Sequence, residues 1–214
     1  MMVSHLTIIF ITGGIMKMRL LLENGDGISS ELEKNTQAYM DYLEKHISGV
    51  IKAFKDYFLP LVDTYKDGIG NYSNNEFILA IKNKALSIDK HDLSKYNDIE
   101  FYPYRQHFYP TEEEKNATDE EKQIMDEKYE EAWKHHYRNN SHHIEYWYDW
   151  ENGIAKDMDL PSIVEMMCDW FSMDQIYPKP SIDYWWRNEA EEERSMMTAE
   201  TIYTVDELYK LFMK

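Results

Sequence analysis

Residues 30–54 read SELEKNTQAYMDYLEKHISGVIKAF, and this stretch decides the fold class. Leu32, Tyr39, Met40, Leu43, Ile47, Val50, Ile51 and Phe54 recur mostly every three or four residues. That period lines one face of an α-helix of about seven turns. Ser29 or Ser30, ahead of Glu31 and Glu33, supplies an N-terminal cap. His46 lies at the flank of the apolar stripe.

Working outward, the same period returns. A loop over Lys66 to Asn74, with Gly68 and Gly70, separates the first helix from a second marked by Phe77, Ile78, Ile81, Ala85 and Leu86. Phe101-Tyr102-Pro103-Tyr104-Arg105 and Phe108-Tyr109-Pro110 contain two prolines, and we expect this aromatic segment to be irregular. Thr111 to Glu131 is acidic and helix-prone, and its pattern continues through His135-His136-Tyr137-Arg138, with a break expected at Asn139-Asn140-Ser141. Pro161 opens a strongly apolar helix over Ile163 to Phe171, and further helical patterns fill Ile182 to Glu193 and Ala199 to Met213. No β-hairpin signal, internal repeat or heptad run stands out. The expectation is an all-α protein with one helical domain over residues 28–214.

Residues 1–17 are read as an extension, because Met16 and Met18 are alternative starts. The apolar run from Leu6 to Ile11 is too short for a membrane helix, which needs about 20 residues, and it lacks the flanks of a signal peptide. A cytoplasmic protein without a membrane partner is expected.

Composition narrows the function. The chain has 214 residues, and 43% are hydrophobic, enough to build a core and to exclude global disorder. The single cysteine, Cys168, excludes an intramolecular disulfide framework and every Cys-rich zinc module. Forty acidic against 23 basic residues give a net charge of −17, which disfavours nucleic-acid backbones and anionic lipid. The charge does not exclude a phosphate-bearing substrate, since carboxylates gather cations that receive phosphate.

The chemistry-bearing residues are histidines and carboxylates. In chain order they are His46, the adjacent His91-Asp92, the pairs His135-His136 and His142-His143, and Asp169. His5 and His107 stand apart. Imidazole nitrogen and carboxylate oxygen suit zinc, iron or manganese. Residues 136 and 143 would lie on one face of an unbroken helix but about 10 Å apart, too far for one ion. Each signal also has an ordinary reading. His91-Asp92 fits a local turn, the paired histidines fit a solvated face, and Ser162, Glu165, Asp169 and Ser172 form a polar stripe of the sort that usually faces water.

The order His…His-Asp…His…His…Asp resembles the HD superfamily of helical metal-dependent phosphohydrolases. His91-Asp92-Leu93-Ser94-Lys95 looks like its His-Asp-x-x-Lys variant. His142-His143-Ile144-Glu145, followed by Asp169 in Met166-Met167-Cys168-Asp169-Trp170, looks like the His-His-x-Glu and closing Asp of the binuclear branch. The resemblance spans roughly residues 40–172 and implies an HD-domain-like helix bundle. The Gly-Tyr-Pro signature of the cyclic-dinucleotide branch is absent, with Tyr146-Trp147-Tyr148-Asp149-Trp150 in its place, so cyclic-dinucleotide cleavage is not supported. At closer range, Ala132-Trp133-Lys134-His135-His136, Asn140 to Trp147 and Glu165 to Trp170 resemble a bacterial and phage family, domain of unknown function 5662.

The HD resemblance implies that His46, His91, Asp92, His136, His143 and Asp169 hold one or two divalent ions (Mn, Fe or Zn). Lys95 or Arg105 would neutralise phosphate charge, and Glu145 would accept a proton or orient a ligand histidine. The expected activity is hydrolysis of a small phosphate ester or nucleotide-type substrate. The same ligand order resembles the diiron oxygenases of that superfamily. A third reading is an acidic helical interaction protein with structural histidines.

Overall fold

The computed structural model describes residues 30–176 and 181–212, excepting the side chains of residues 174–176. The expected extension over residues 1–17 lies outside them. The protein is all-α. Its helices are α1 (Ser30–Ala53), continued by a π-helical turn (Phe54–Phe58), α2 (Leu61–Thr64), α3 (Asn74–Lys84), α4 (Asp98–Phe108) and α5 (Glu112–Lys115). They are followed by α6 (Asp119–Asn139), α7 (Leu160–Ile176), α8 (Ile182–Asn188), α9 (Glu191–Ser195) and α10 (Ala199–Phe212). Short 3-10 turns occupy Ile88–Lys90, Leu93–Tyr96 and Ile144–Trp147. Among the described residues, no helix is long and apolar enough to cross a membrane.

The chain divides into two compact units. The first comprises residues 30–43 and 93–136. Its core is aromatic: Tyr39, Met40 and Leu43 from α1 pack with Phe101 and Tyr104 from α4 and Ala132 from α6. The rings of Tyr39 and Phe101 lie 5.1 Å apart. The expectation of an irregular aromatic segment is corrected here, because residues 98–108 form a helix with Pro103 inside it. Proline deprives the helix of one hydrogen bond. Burial of Phe101 and Tyr104 on one face, together with an Asn97 cap that accepts from the Ile99 N–H, offsets that loss.

The second unit comprises residues 44–92 and 137–212. Its core joins Val50, Phe54 and Phe58 to Phe77 and Ile81 of α3, Ile163, Val164 and Met167 of α7, and Val205 and Leu208 of α10. Ser73 starts α3 with a capping box shared with Glu76. Gly49, in the interior of α1, is a costly residue for a helix. A Cβ there would lie 3.1 Å from Ser172 Cβ, so the glycine lets α7 come close to the turn that carries His46.

A hairpin, absent from the sequence-based expectation, also belongs to this unit. Tyr148–Asp149 pairs antiparallel with Ile154–Ala155. The two-residue strands are too short to show alternation, and the turn is set by Asp149 Oδ1 accepting from Glu151 and Asn152 N–H groups and by Gly153 at φ +66°.

Candidate metal centre

Four of the side chains expected to hold metal, His46, His91, Asp92 and Asp169, are drawn together in the second unit by three elements. α1 carries His46, the segment between two 3-10 turns carries His91 and Asp92, and α7 carries Asp169. Asp92 has φ +56°, a left-handed conformation disfavoured for residues with a Cβ and best tolerated by Asp and Asn. Its carboxylate is 1% exposed, and it sits among histidines.

The donor atoms converge on one spot. His46 Nε2 lies 3.3 Å from His91 Nε2, 3.4 Å from Asp92 Oδ2 and 3.2 Å from Asp169 Oδ1. His91 Nε2 lies 3.5 Å from Asp92 Oδ2 and 3.8 Å from Asp169 Oδ1. Ligand atoms around a divalent ion at bond lengths of about 2.0–2.2 Å stand about 3.0–3.6 Å from one another. The spacing and the mixed imidazole–carboxylate chemistry therefore fit such an ion.

The opposite nitrogens of both rings determine which tautomer is present. Ser172 Oγ donates to the Asp169 carbonyl at 2.7 Å, so it acts as acceptor toward His46 Nδ1 at 3.3 Å. His91 Nδ1 donates to Glu165 Oε1 at 3.0 Å. A proton on each Nδ1 leaves each Nε2 with a lone pair directed at the two carboxylates. Without a cation these groups repel. The shift of His91 has the same origin. Burial opposes its charging, but Asp92, Glu165 and Asp169 outweigh burial and raise its pKa.

A further layer supports these ligands. Glu165 is 9% exposed and pairs through Oε2 with Lys84 at the end of α3. Burial would raise its pKa, but His91, His142 and Lys84 hold it down to about 2. His142 is buried, with Nε2 at 3.4 Å from Asp92 Oδ1 and Nδ1 at 3.5 Å from Glu165 Oε1. Its pKa is lowered by burial and by the neighbouring His91. Asp92 thus turns Oδ2 toward His46 and His91 and Oδ1 toward His142. His143, half-buried, offers a ring nitrogen within 4.8 Å of ligand atoms of Asp92 and His142. Cys168 faces the core, and burial pushes its thiol pKa up, so it remains an inert thiol.

Asp169 and His142 also line a cleft of about 330 Å³. Its other walls are His143, Ile144, Glu145, Met166, Trp170, Met173, Ile182, Trp185 and Glu193.

The remaining expected site residues lie in the first unit. His136 is buried there, its Nδ1 2.8 Å from Glu100 Oε2 and 3.1 Å from Ser94 Oγ. His135 Nδ1 meets the other Glu100 oxygen at 2.6 Å. Lys95 holds its ammonium 5.7 Å from the Tyr104 ring. Arg105 makes a two-pronged ion pair with Glu114, both contacts 2.6 Å, which commits its guanidinium.

The polar stripe on α7 does not face water, contrary to expectation. Ser162, Glu165 and Ser172 are buried, because the stripe meets Lys84, His46 and His91. Glu165, Lys84 and Ser172 were not anticipated as residues that support the cluster. The one available signal was the spacing 162, 165, 169, 172 within an otherwise apolar helix.

No curated protein and no solved structure matches the chain. The model of a family of unknown function, DUF5662, matches residues 35–211, which include every residue of the cluster, and the protein belongs to that family.

Proposed function

We propose that the protein is a metal-dependent phosphohydrolase whose centre is built on His46, His91, Asp92 and Asp169. One observation carries the reading. Two imidazole Nε2 atoms and two carboxylates converge at ligand spacing in a buried site, with the tautomers set by Ser172 and Glu165. The order of these ligands along the chain is that of the HD superfamily, whose chemistry the proposal takes over.

His46, His91, Asp92 and Asp169 would hold a divalent ion of the manganese, iron or zinc type, which when bound would lower the pKa of a water toward neutrality and polarise a phosphoryl oxygen. The chain's own groups do the rest. Ser172 and Glu165 keep the rings of His46 and His91 turned toward the ligand position. Lys84 balances the Glu165 charge. His142, beside Asp92 Oδ1, and His143 provide donors for a second ion. Glu145, in the cleft wall, would take the proton released as water adds to phosphorus and return it to the ester oxygen as the P–O bond breaks, so that an alcohol and inorganic phosphate leave. A small phosphate ester enters by the cleft, where Asp169 and His142 are reached. The chain's net charge of −17 disfavours nucleic acid as a partner, and we take the protein to act in the cytoplasm.

The test is elemental analysis of untagged protein, with hydrolysis of p-nitrophenyl phosphate measured after reconstitution. Near-stoichiometric metal, lost together with hydrolysis in Asp92→Ala, is expected. Metal-free wild-type protein after reconstitution overturns the reading in favour of an acidic interaction protein. Bound iron with dioxygen consumption and no hydrolysis overturns it in favour of an oxygenase.

A further inference from the structure

The cleft beside the cluster has an unusual wall for a site that receives phosphate. Asp169, Glu145 and Glu193 line it, and no lysine or arginine among the described residues does. Trp170 and Trp185 form a corner within it, their ring centroids 5.3 Å apart and their planes at 77°. Both indoles are half-buried, as are Glu145 and Glu193. At about 330 Å³ the cleft stands at the small end of the range for ligand sites, about 300–1,000 Å³.

This lining discriminates by charge. The additional phosphates of a nucleoside di- or triphosphate would lie against carboxylates, with no lysine or arginine among the described lining residues to receive them. An ammonium group finds two favourable partners in the same place: carboxylates, and indole faces whose quadrupole attracts cations. The net charge of −17 adds a long-range field that concentrates small cations and repels polyanions.

We infer that the corner of Trp170, Trp185 and Glu193 binds an organic ammonium group. The substrate is then a small phosphate monoester with an amine or quaternary ammonium on its organic end. The phosphoryl group would lie at the Asp169 and His142 end, and the ammonium against the indoles. The substrate assignment rests on the phosphohydrolase reading, whereas ammonium binding by the cleft does not.

Ligand-observed NMR of the methyl signal of tetramethylammonium chloride, titrated with the full chain against a sodium chloride control, tests the inference. Saturable binding is expected, unaffected by excess ATP. Trp185→Leu and Glu193→Gln should each weaken it about tenfold, whereas Trp185→Phe, which keeps an aromatic face, should retain most of it. The Phe variant separates loss of the ring from loss of the fold. Absence of saturable binding, competition by ATP, or equal binding by Trp185→Leu overturns the inference. Asp92→Ala should lose metal and keep tetramethylammonium. Metal-free wild-type protein that binds tetramethylammonium refutes the phosphohydrolase reading and the substrate assignment while upholding the ammonium site; metal-loaded protein that does not bind it refutes the ammonium inference alone.

Discussion

Glu165 Oε1 accepts a hydrogen bond from His91 Nδ1 at 3.0 Å, and this bond turns the far nitrogen of the ring toward His46, Asp92 and Asp169. A carboxylate in that position fixes the tautomer and raises the basicity of the ligating nitrogen. Glu165→Gln keeps the shape and removes the charge. Metal affinity should fall about 10–100-fold while the helical circular dichroism spectrum stays that of wild type. Unchanged affinity by competition with a chromophoric chelator would show that Glu165 plays no part in the centre.

Gly49 makes a second prediction about positioning. An added Cβ would meet Ser172 Cβ at 3.1 Å, so α7 must shift by a few tenths of an ångström. Gly49→Ala gains about 1 kcal/mol of helix propensity, which works against any loss of overall stability. The metal site is less forgiving, because Ser172 and Asp169 both move with α7. We expect weaker metal binding without a matching fall in the midpoint of urea unfolding. Weakening of both in proportion would mean that Gly49 serves packing alone.

Asp92 holds a left-handed backbone conformation at φ +56°. Asp92→Gly relieves that conformation and takes a buried carboxylate away from Asp169 and Glu165. Metal-free Asp92→Gly should be as stable as metal-free wild type or more so, by about 1 kcal/mol, while binding no metal. Urea titrations of both proteins in the presence of chelator measure this. A loss of more than about 1 kcal/mol would show that Asp92 supports the metal-free fold.

Metal removal should lower stability by mass action. At free metal 100 times the dissociation constant, a single site that binds only the folded chain contributes about 2.7 kcal/mol. Chelation should therefore reduce the thermal midpoint of wild type and leave that of Asp92→Ala unmoved, as read by scanning calorimetry.

In the first unit, Arg105 pairs with Glu114, which also closes the Thr111 capping box of α5. Burial acts to raise the Glu114 pKa, but Arg105 and Thr111 outweigh it and lower the value. A carboxylate with a lowered folded pKa stabilises the protein above the unfolded value, about 4.3, and that contribution fades as pH falls through the folded value. Glu114→Gln should cost about 2 kcal/mol at pH 7, and the difference from wild type should shrink below about pH 4. Urea midpoints taken between pH 7 and pH 3 test this, and a pH-independent difference would contradict it.

The comparison of sequence with structure divides along one line. The helices at 30–53, 74–84, 119–139, 160–176 and 199–212 were legible because the signal is local. A period of three and four residues, a capping serine and a proline at a helix start act within one or two turns. Residue types were legible too: the histidines and carboxylates stood out, and the HD resemblance gathered His46, His91, Asp92, His136, His143 and Asp169 into one set, of which the structure brings His46, His91, Asp92 and Asp169 to one spot. The helix through Pro103 was not legible, since proline argues against it locally and only the burial of Phe101 and Tyr104 argues for it. The wet or dry character of the α7 stripe was likewise hidden.

Sequence by itself determined that this is an all-α, strongly acidic chain whose histidines and carboxylates have the chemistry of metal donors. Tertiary structure alone decided which nitrogen each histidine presents and which carboxylates support them. The physical reason is distance along the chain. Lys84 meets Glu165 across 81 residues and His46 meets Ser172 across 126, and no periodicity records a contact between residues so far apart.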